Sequence, residues 1–75
     1  MTDLKLISWI EAAPVGAIIK LLECRNAMIK VTEHVDGSGK YKEWLLFNTR
    51  LDYNQFYGSY NSREIDQLLK DAKGF

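Results

Sequence analysis

The segment from Asn26 to Thr49, NAMIKVTEHVDGSGKYKEWLLFNT, decides the fold because it carries the clearest structural pattern in the chain. Two runs rich in β-branched and aromatic residues, Met28 to Val35 and Tyr41 to Asn48, flank the turn sequence DGSGK at positions 36–40. The two glycines can adopt the positive φ angles that a tight reversal requires. We therefore predict an antiparallel β-hairpin.

The two strands of this hairpin alternate differently. In the first strand one face is mainly apolar and the other is mixed, with Ile29, Val31, Glu33 and Val35 opposite Met28, Lys30, Thr32 and His34. The second strand is apolar on both faces, with Tyr41, Leu45 and Phe47 opposite Trp44 and Leu46. A strand of this kind needs cover on both sides, or lies between the core and a partner.

Apolar residues at helical spacing predict a helix at each end of the chain. The first helix covers residues 3–12, capped by Thr2 or Asp3 and ended by Pro14. The last begins after Asn61 or Ser62, with Asn61 and Glu64 as a capping box, and ends at Gly74. Its predicted buried face consists of Ile65, Leu68, Leu69 and Ala72.

The segment 15–23 supports two interpretations. Pro14 suits the first position of a helix, and Val15, Ile18, Ile19 and Leu22 then share one face. We therefore predict an α+β fold in the order helix, helix, β-hairpin, helix. The alternative makes 15–23 a strand, which gives a helix, a three-stranded antiparallel meander and a helix.

An aromatic segment, RLDYNQFYGSY at 50–60, follows the hairpin. Its rings recur at helical spacing, so we predict a helical turn over 52–57 and then a loop. Phe56 has no polar group and is expected to point inward, whereas tyrosines provide large contact area at low entropic cost. The predicted protein-binding surface combines the aromatic segment 53–60 with the hairpin, and its residues are Tyr53, Tyr57, Tyr60 and, from the second strand, Trp44.

Composition limits the class of protein. The 75 residues are expected to form a single domain, 1–75, and ten cations balance ten anions, so no net field attracts nucleic acid or a membrane. The N-terminus resembles neither a signal peptide nor a membrane span, and the one cysteine excludes an internal disulfide. We expect a stand-alone cytoplasmic protein.

Chemistry-bearing residues are sparse. His34 lies on a strand and Cys24 has no histidine near it in sequence, so no nucleophile, base and acid occur at a credible spacing. The turn at 36–40 lacks the spacing of a phosphate-binding loop and precedes a strand rather than a helix. We therefore expect no catalytic residue, no bound metal and no cofactor.

The sequence thus favours a non-catalytic protein-binding module. Small adaptors, inhibitors and regulators, including those of phages and mobile elements, are proteins of this type. Both a monomer and a homodimer that hides the second strand's spare face fit the pattern. The alternative function is a nucleic-acid-binding regulator whose hairpin, 28–48, acts as a basic wing through Lys30, Lys40, Lys42 and Arg50.

Overall fold

The computed structural model describes residues 4–50 and 55–75, which form an α+β fold with two helices and a four-stranded antiparallel sheet. Helix α1 opens this part of the chain, four strands follow, and helix α2 closes it. The elements are α1 (Leu4–Ala12), β1 (Ile18–Lys20), β2 (Ala27–Asp36), β3 (Gly39–Asn48), β4 (Gln55–Tyr60) and α2 (Ile65–Lys73).

The sheet is a meander in which each strand pairs with the next, in the order β1-β2-β3-β4. The predicted hairpin is its centre, since β2 and β3 pair over ten residues from Ala27 opposite Asn48 to Asp36 opposite Gly39. The predicted alternation of both strands is also confirmed. Val31 lies opposite Trp44 on one face, and Lys30 lies opposite Leu45 on the other.

The hairpin turn uses Gly37 and Ser38, and the carboxylate of Asp36 stabilises it. Oδ1 of Asp36 accepts hydrogen bonds from the Ser38 backbone N–H at 2.8 Å and from the Ser38 hydroxyl at 2.5 Å. Gly39 has a φ of +124°, a conformation that residues with a side chain rarely adopt. Gly37 does not have a positive φ, so the turn requires one special glycine rather than the predicted two.

The predicted helix over 15–23 is wrong, and the strand alternative is closer to the structure. Only Ile18–Lys20 forms β1, which pairs with β2. Gly16 has a φ of +96° and donates its N–H to the Val31 carbonyl, while Val31 returns its N–H to the Ala17 carbonyl. These bonds to β2 replace the intrahelical bonds that a helix after Pro14 would have made.

Both helices cover the same face of the sheet, and the core lies between these two layers. The Trp44 indole donates a hydrogen bond to the Ile10 carbonyl in α1 at 3.0 Å, and the Tyr60 hydroxyl donates one to Asp71 in α2 at 2.5 Å. The core consists of Ile10, Ile19, Cys24, Ala27, Ile29, Val31, Trp44, Leu46, Tyr60, Ile65, Leu68, Leu69 and Ala72. The predicted buried face of the last helix is confirmed in full.

Strand β4 replaces the helical turn predicted over 52–57, of which positions 52–54 lie outside the described residues. Its pairing with β3 shifts by one residue between Leu46 and Phe47, so that Leu46 pairs with Gly58 and Phe47 with Phe56. Tyr57 is the extra residue of this β-bulge. The bulge breaks the period-two alternation, which is why the segment did not resemble a strand in the sequence.

Helix α2 begins close to its predicted start. The Glu64 side chain accepts the Asn61 N–H at 3.1 Å, which is one half of the predicted capping box. Asn61 Oδ1 accepts the N–H of Arg63 instead of that of Glu64, so the other half is absent. Gly74 follows the helix with a φ of −79°, so this ending needs no left-handed residue.

Candidate functional site

The face of the sheet that points away from α1 and α2 is the main candidate surface, and we call it the open face. Its residues alternate along each strand with those that enter the core, and no described helix or strand covers them. The open face consists of Ile18 and Lys20 from β1; Met28, Lys30, Thr32 and His34 from β2; Tyr41, Glu43, Leu45 and Phe47 from β3; and Phe56 and Ser59 from β4.

The strand register aligns these residues into rows across the sheet. The first row runs from Lys20 through Met28 and Phe47 to Phe56, and the second runs from Ile18 through Lys30 and Leu45 to Ser59. Each row crosses all four strands. Ile18 is 62% exposed and Phe56 is 55% exposed, whereas Met28, Leu45 and Phe47 are half-buried. The two rows therefore form a continuous apolar surface with two lysines on its β1 and β2 side.

The two phenylalanines of the first row contact each other edge to face. The ring centroids of Phe47 and Phe56 are 5.6 Å apart at an interplanar angle of 65°. The bulge gives Tyr57 a different environment, because its ring contacts Phe75, which follows α2, with centroids 5.0 Å apart. One change in register thus directs Phe56 to the open face and Tyr57 toward the helical layer.

Among the residues predicted to bind protein, the three that the structure describes do not form one exposed surface. Trp44 is 2% exposed and Tyr60 is 7% exposed, so both belong to the core, contrary to the prediction that they contact a partner. Tyr57 is exposed beside Phe75, and Tyr53 lies outside the described residues. The expectation that Phe56 points inward is also wrong, because Phe56 lies on the open face and Tyr60 takes the inward position.

The hydroxyl of Tyr60 has a hydrogen-bond partner in the core. The expectation that Tyr60 lies on the surface was based on the cost of burying an unpaired hydroxyl, and this hydroxyl is paired. Its hydrogen bond to Asp71 and its burial raise the pKa of Tyr60 far above the ordinary tyrosine value, with burial as the larger cause. The hydrogen bond to Asp71 therefore offsets the cost of burying this hydroxyl. No pattern in the sequence indicated the pairing, because Asp71 lies on a different element.

The four cations of the nucleic-acid alternative do not share one surface. Lys30 lies on the open face, whereas Lys40 and Lys42 alternate to the helical side. The ammonium of Lys42 is also engaged, since it donates to the carbonyl oxygens of Ala13 at 2.7 Å and Glu11 at 3.2 Å. Arg50 lies beyond the opposite end of β3 from Lys40. These positions do not form the basic wing that the alternative function requires.

His34 has charged neighbours at the turn end of the open face. Its Nδ1 is 3.3 Å from a Glu43 carboxylate oxygen, and its Nε2 is 3.8 Å from a carboxylate oxygen of Asp36. Its ring centroid is 4.9 Å from that of Tyr41, with the two rings tilted by 35°. Hydrogen bonds from Ser38 hold the pKa of Asp36 below its usual value. Within residues 4–50 and 55–75, no three histidine, cysteine or acidic side chains are grouped to hold a metal ion.

Two further features are an open cleft and a free cysteine. An open cleft of about 620 Å³ lies beside Glu11, Lys42 and Arg63, but the Lys42 ammonium is already bound by the carbonyls at the end of α1. Cys24 is a free, buried cysteine, and burial raises the pKa of its thiol, which disfavours the reactive thiolate.

Comparison with known proteins adds no family to this description. No protein-family model, curated protein or solved structure matches the chain. Neither of the two helices in the described ranges has the length and apolar character needed to cross a membrane.

One sequence pattern indicated the open face, but the residues predicted to make contacts were different ones. The second hairpin strand was recognised as apolar on both faces, and its spare face does carry Leu45 and Phe47. The contributions of Ile18 and Phe56 were missed because they depend on β1 and on the bulge in β4. Neither feature has a clear local pattern.

Proposed function

We propose that this chain is a non-catalytic protein-binding module whose contact surface is the open face. The observation that supports this proposal is the row of Met28, Phe47 and Phe56, which crosses three strands on a sheet face without helical cover. Interface centres are enriched in aromatic residues and methionine and depleted in charge, as this row is. A role as an adaptor, inhibitor or regulator is consistent with such a surface.

The proposed class of function is the one expected from the sequence, but the contact residues are different. The contact residues are Ile18, Met28, Leu45, Phe47 and Phe56 instead of Trp44 and Tyr60. Lys20 lies at the β1 edge of the surface, Lys30 lies between Ile18 and Leu45 in the second row, and Glu43 lies two residues from Leu45 toward the turn. Charges of both signs on the surface favour a specific partner over general adhesion.

Site-specific crosslinking tests the proposal. A photoreactive amino acid at position 56 is expected to crosslink to a defined polypeptide in the native host, and the same residue at Lys70 on the exposed side of α2 is expected to give no such product. The product from position 56 should disappear when Phe47 is replaced by Ser. Equal labelling from both positions, or no protein product from position 56, contradicts the proposal.

A further inference from the structure

The open face has two halves of different chemistry, divided between β2 and β3. The half formed by β1 and β2 is aliphatic and cationic, and we call it the cationic half. The half formed by β3 and β4 is aromatic and acidic, and we call it the aromatic half. The cationic half contains Ile18, Lys20, Met28, Lys30, Thr32 and His34, and the aromatic half contains Tyr41, Glu43, Leu45, Phe47, Phe56 and Ser59.

These halves are complementary to each other. A lysine over an aromatic ring, a methionine sulfur beside an aromatic ring and a lysine near a carboxylate are all favourable contacts. We propose that the open face is occupied by a second copy of this chain, related by a two-fold axis that runs along the strands between β2 and β3. This inference rests on the proposed function, because it names the partner of the same surface.

The strand register fixes which residues meet across this axis. A rotation about a line between β2 and β3 exchanges these two strands, so each residue lies over the copy of its own cross-strand neighbour. Met28 therefore contacts the second copy of Phe47, because these two residues pair within one chain. The outer strands exchange in the same way, which brings Lys20 over the second copy of Phe56, since both lie in the first row.

The charges also match in this arrangement. Lys30 lies over the copy of Leu45, and Glu43 is two residues from Leu45 on the same face of β3. The distance between the two rows is about 7 Å, which the lysine side chain can span. Each Lys30 thus reaches one Glu43 of the other copy, and the symmetry makes this pair twice. A face with charges of one sign would repel its own copy instead.

The dimensions of the molecule suit such an interface. Its extents are 36 × 29 × 17 Å, where the shortest is the thickness of one sheet and one helical layer. The open face is therefore one broad side, comparable with the roughly 800 Å² that each partner contributes to a stable interface. Two sheets packed face to face with nearly aligned strands form a common arrangement, and a 75-residue chain gains a larger shared core from it.

Charge reversal provides a test that depends on the symmetry. We expect sedimentation equilibrium of the full chain to give a dimer of twice 8.7 kDa. Lys30→Glu and Glu43→Lys each place like charges together twice, so each should raise the dimer Kd by about tenfold or more. An equimolar mixture of these two variants restores both opposite-charge pairs and should form a heterodimer. Lys5→Glu, on α1, makes the same change in net charge as Lys30→Glu and should leave the Kd unchanged.

Three results overturn the inference. In the first, the wild-type chain stays monomeric up to millimolar concentration. In the second, the chain dimerises but neither charge reversal weakens the dimer. In the third, the mixture of the two variants does not restore association, although circular dichroism shows that each variant is folded. A crosslink from position 56 to a different polypeptide, together with a monomeric purified chain, rejects the second copy and leaves the proposed function standing. The absence of both the crosslink and the dimer rejects both.

Discussion

The hydroxyl of Tyr60 lies 2.5 Å from Oδ2 of Asp71, and this contact joins the last strand of the sheet to α2. Gln67 donates to the other carboxylate oxygen of Asp71 at 2.9 Å, so the carboxylate is held from both sides. The orientation of Tyr60 therefore depends on α2. Tyr60 faces the helices, and the β4 residues on the open face are Phe56 and Ser59.

Replacing Tyr60 by Phe tests the energetic value of this contact. The ring remains in the core, but Asp71 loses a hydrogen bond, so we expect a loss of about 1–2 kcal/mol in the free energy of unfolding. Urea denaturation at neutral pH measures it. Asp71→Asn, which leaves an amide oxygen able to accept the same bond, should cost less than Tyr60→Phe. A Tyr60→Phe variant as stable as wild type contradicts this expectation.

The same contact predicts a dependence on alkaline pH. The pKa of Tyr60 is raised in the folded chain, chiefly by burial and then by Asp71. Stability from the neutral hydroxyl is complete below about pH 10, the tyrosine pKa of an unfolded chain, and declines as the pH rises above it. Tyr60→Phe should therefore lose stability less steeply than wild type above this pH. Urea denaturation of both chains at a series of alkaline pH values measures the two slopes.

The two tryptophans should differ in solvent accessibility. Trp44 is buried and donates to the Ile10 carbonyl, whereas Trp9 is 59% exposed on α1. The Trp9→Phe variant should show blue-shifted emission that acrylamide quenches weakly, and the Trp44→Phe variant should show the reverse. Trp44→Phe should also cost about 2 kcal/mol, through lost volume and the lost hydrogen bond. Strong quenching of Trp44 in a folded variant is incompatible with its position in the core.

Some features of the fold could be predicted because they depend on neighbours in sequence. The β2–β3 hairpin follows from alternation around a glycine-containing turn, and the buried face of α2 follows from helical spacing. Strand β1 could not be predicted in the same way, since three residues contain too little pattern and their bonds go to β2. The bulge at Tyr57 conceals β4 for a related reason, because its register is set by β3.

The candidate site depended even more on distant contacts. Whether Phe56 or Tyr60 faces the core is decided by which side of the sheet the helices cover, and by a carboxylate on α2 that satisfies the Tyr60 hydroxyl. General rules about burying hydroxyl groups favoured the opposite assignment. The two-sided apolar pattern of the second hairpin strand was the one local sign of a face without helical cover.

The glycines of the hairpin turn should respond differently to substitution. Gly39 has a φ of +124°, so Gly39→Ala forces a side chain into a strained conformation and should cost about 1 kcal/mol or more. Gly37 lacks a positive φ, and a Cβ there meets no atom within 4 Å, so Gly37→Ala should change stability by about 0.5 kcal/mol or less. Thermal unfolding of the pair checks the turn geometry. Equal effects would mean that the positive φ is not confined to Gly39.

Truncation of the two aromatic residues on β4 separates core from surface most directly. Tyr60→Ala removes a buried ring and its bond to Asp71, and should cost about 3–5 kcal/mol. Phe56→Ala removes a ring that is 55% exposed, so the folded chain loses mainly its edge-to-face contact with Phe47, worth about 1 kcal/mol. Both values come from urea denaturation of the single variants, at concentrations low enough to keep the chain monomeric. If Phe56→Ala destabilised the monomer as much as Tyr60→Ala does, Phe56 would be part of the core and unable to serve the open face as a contact residue.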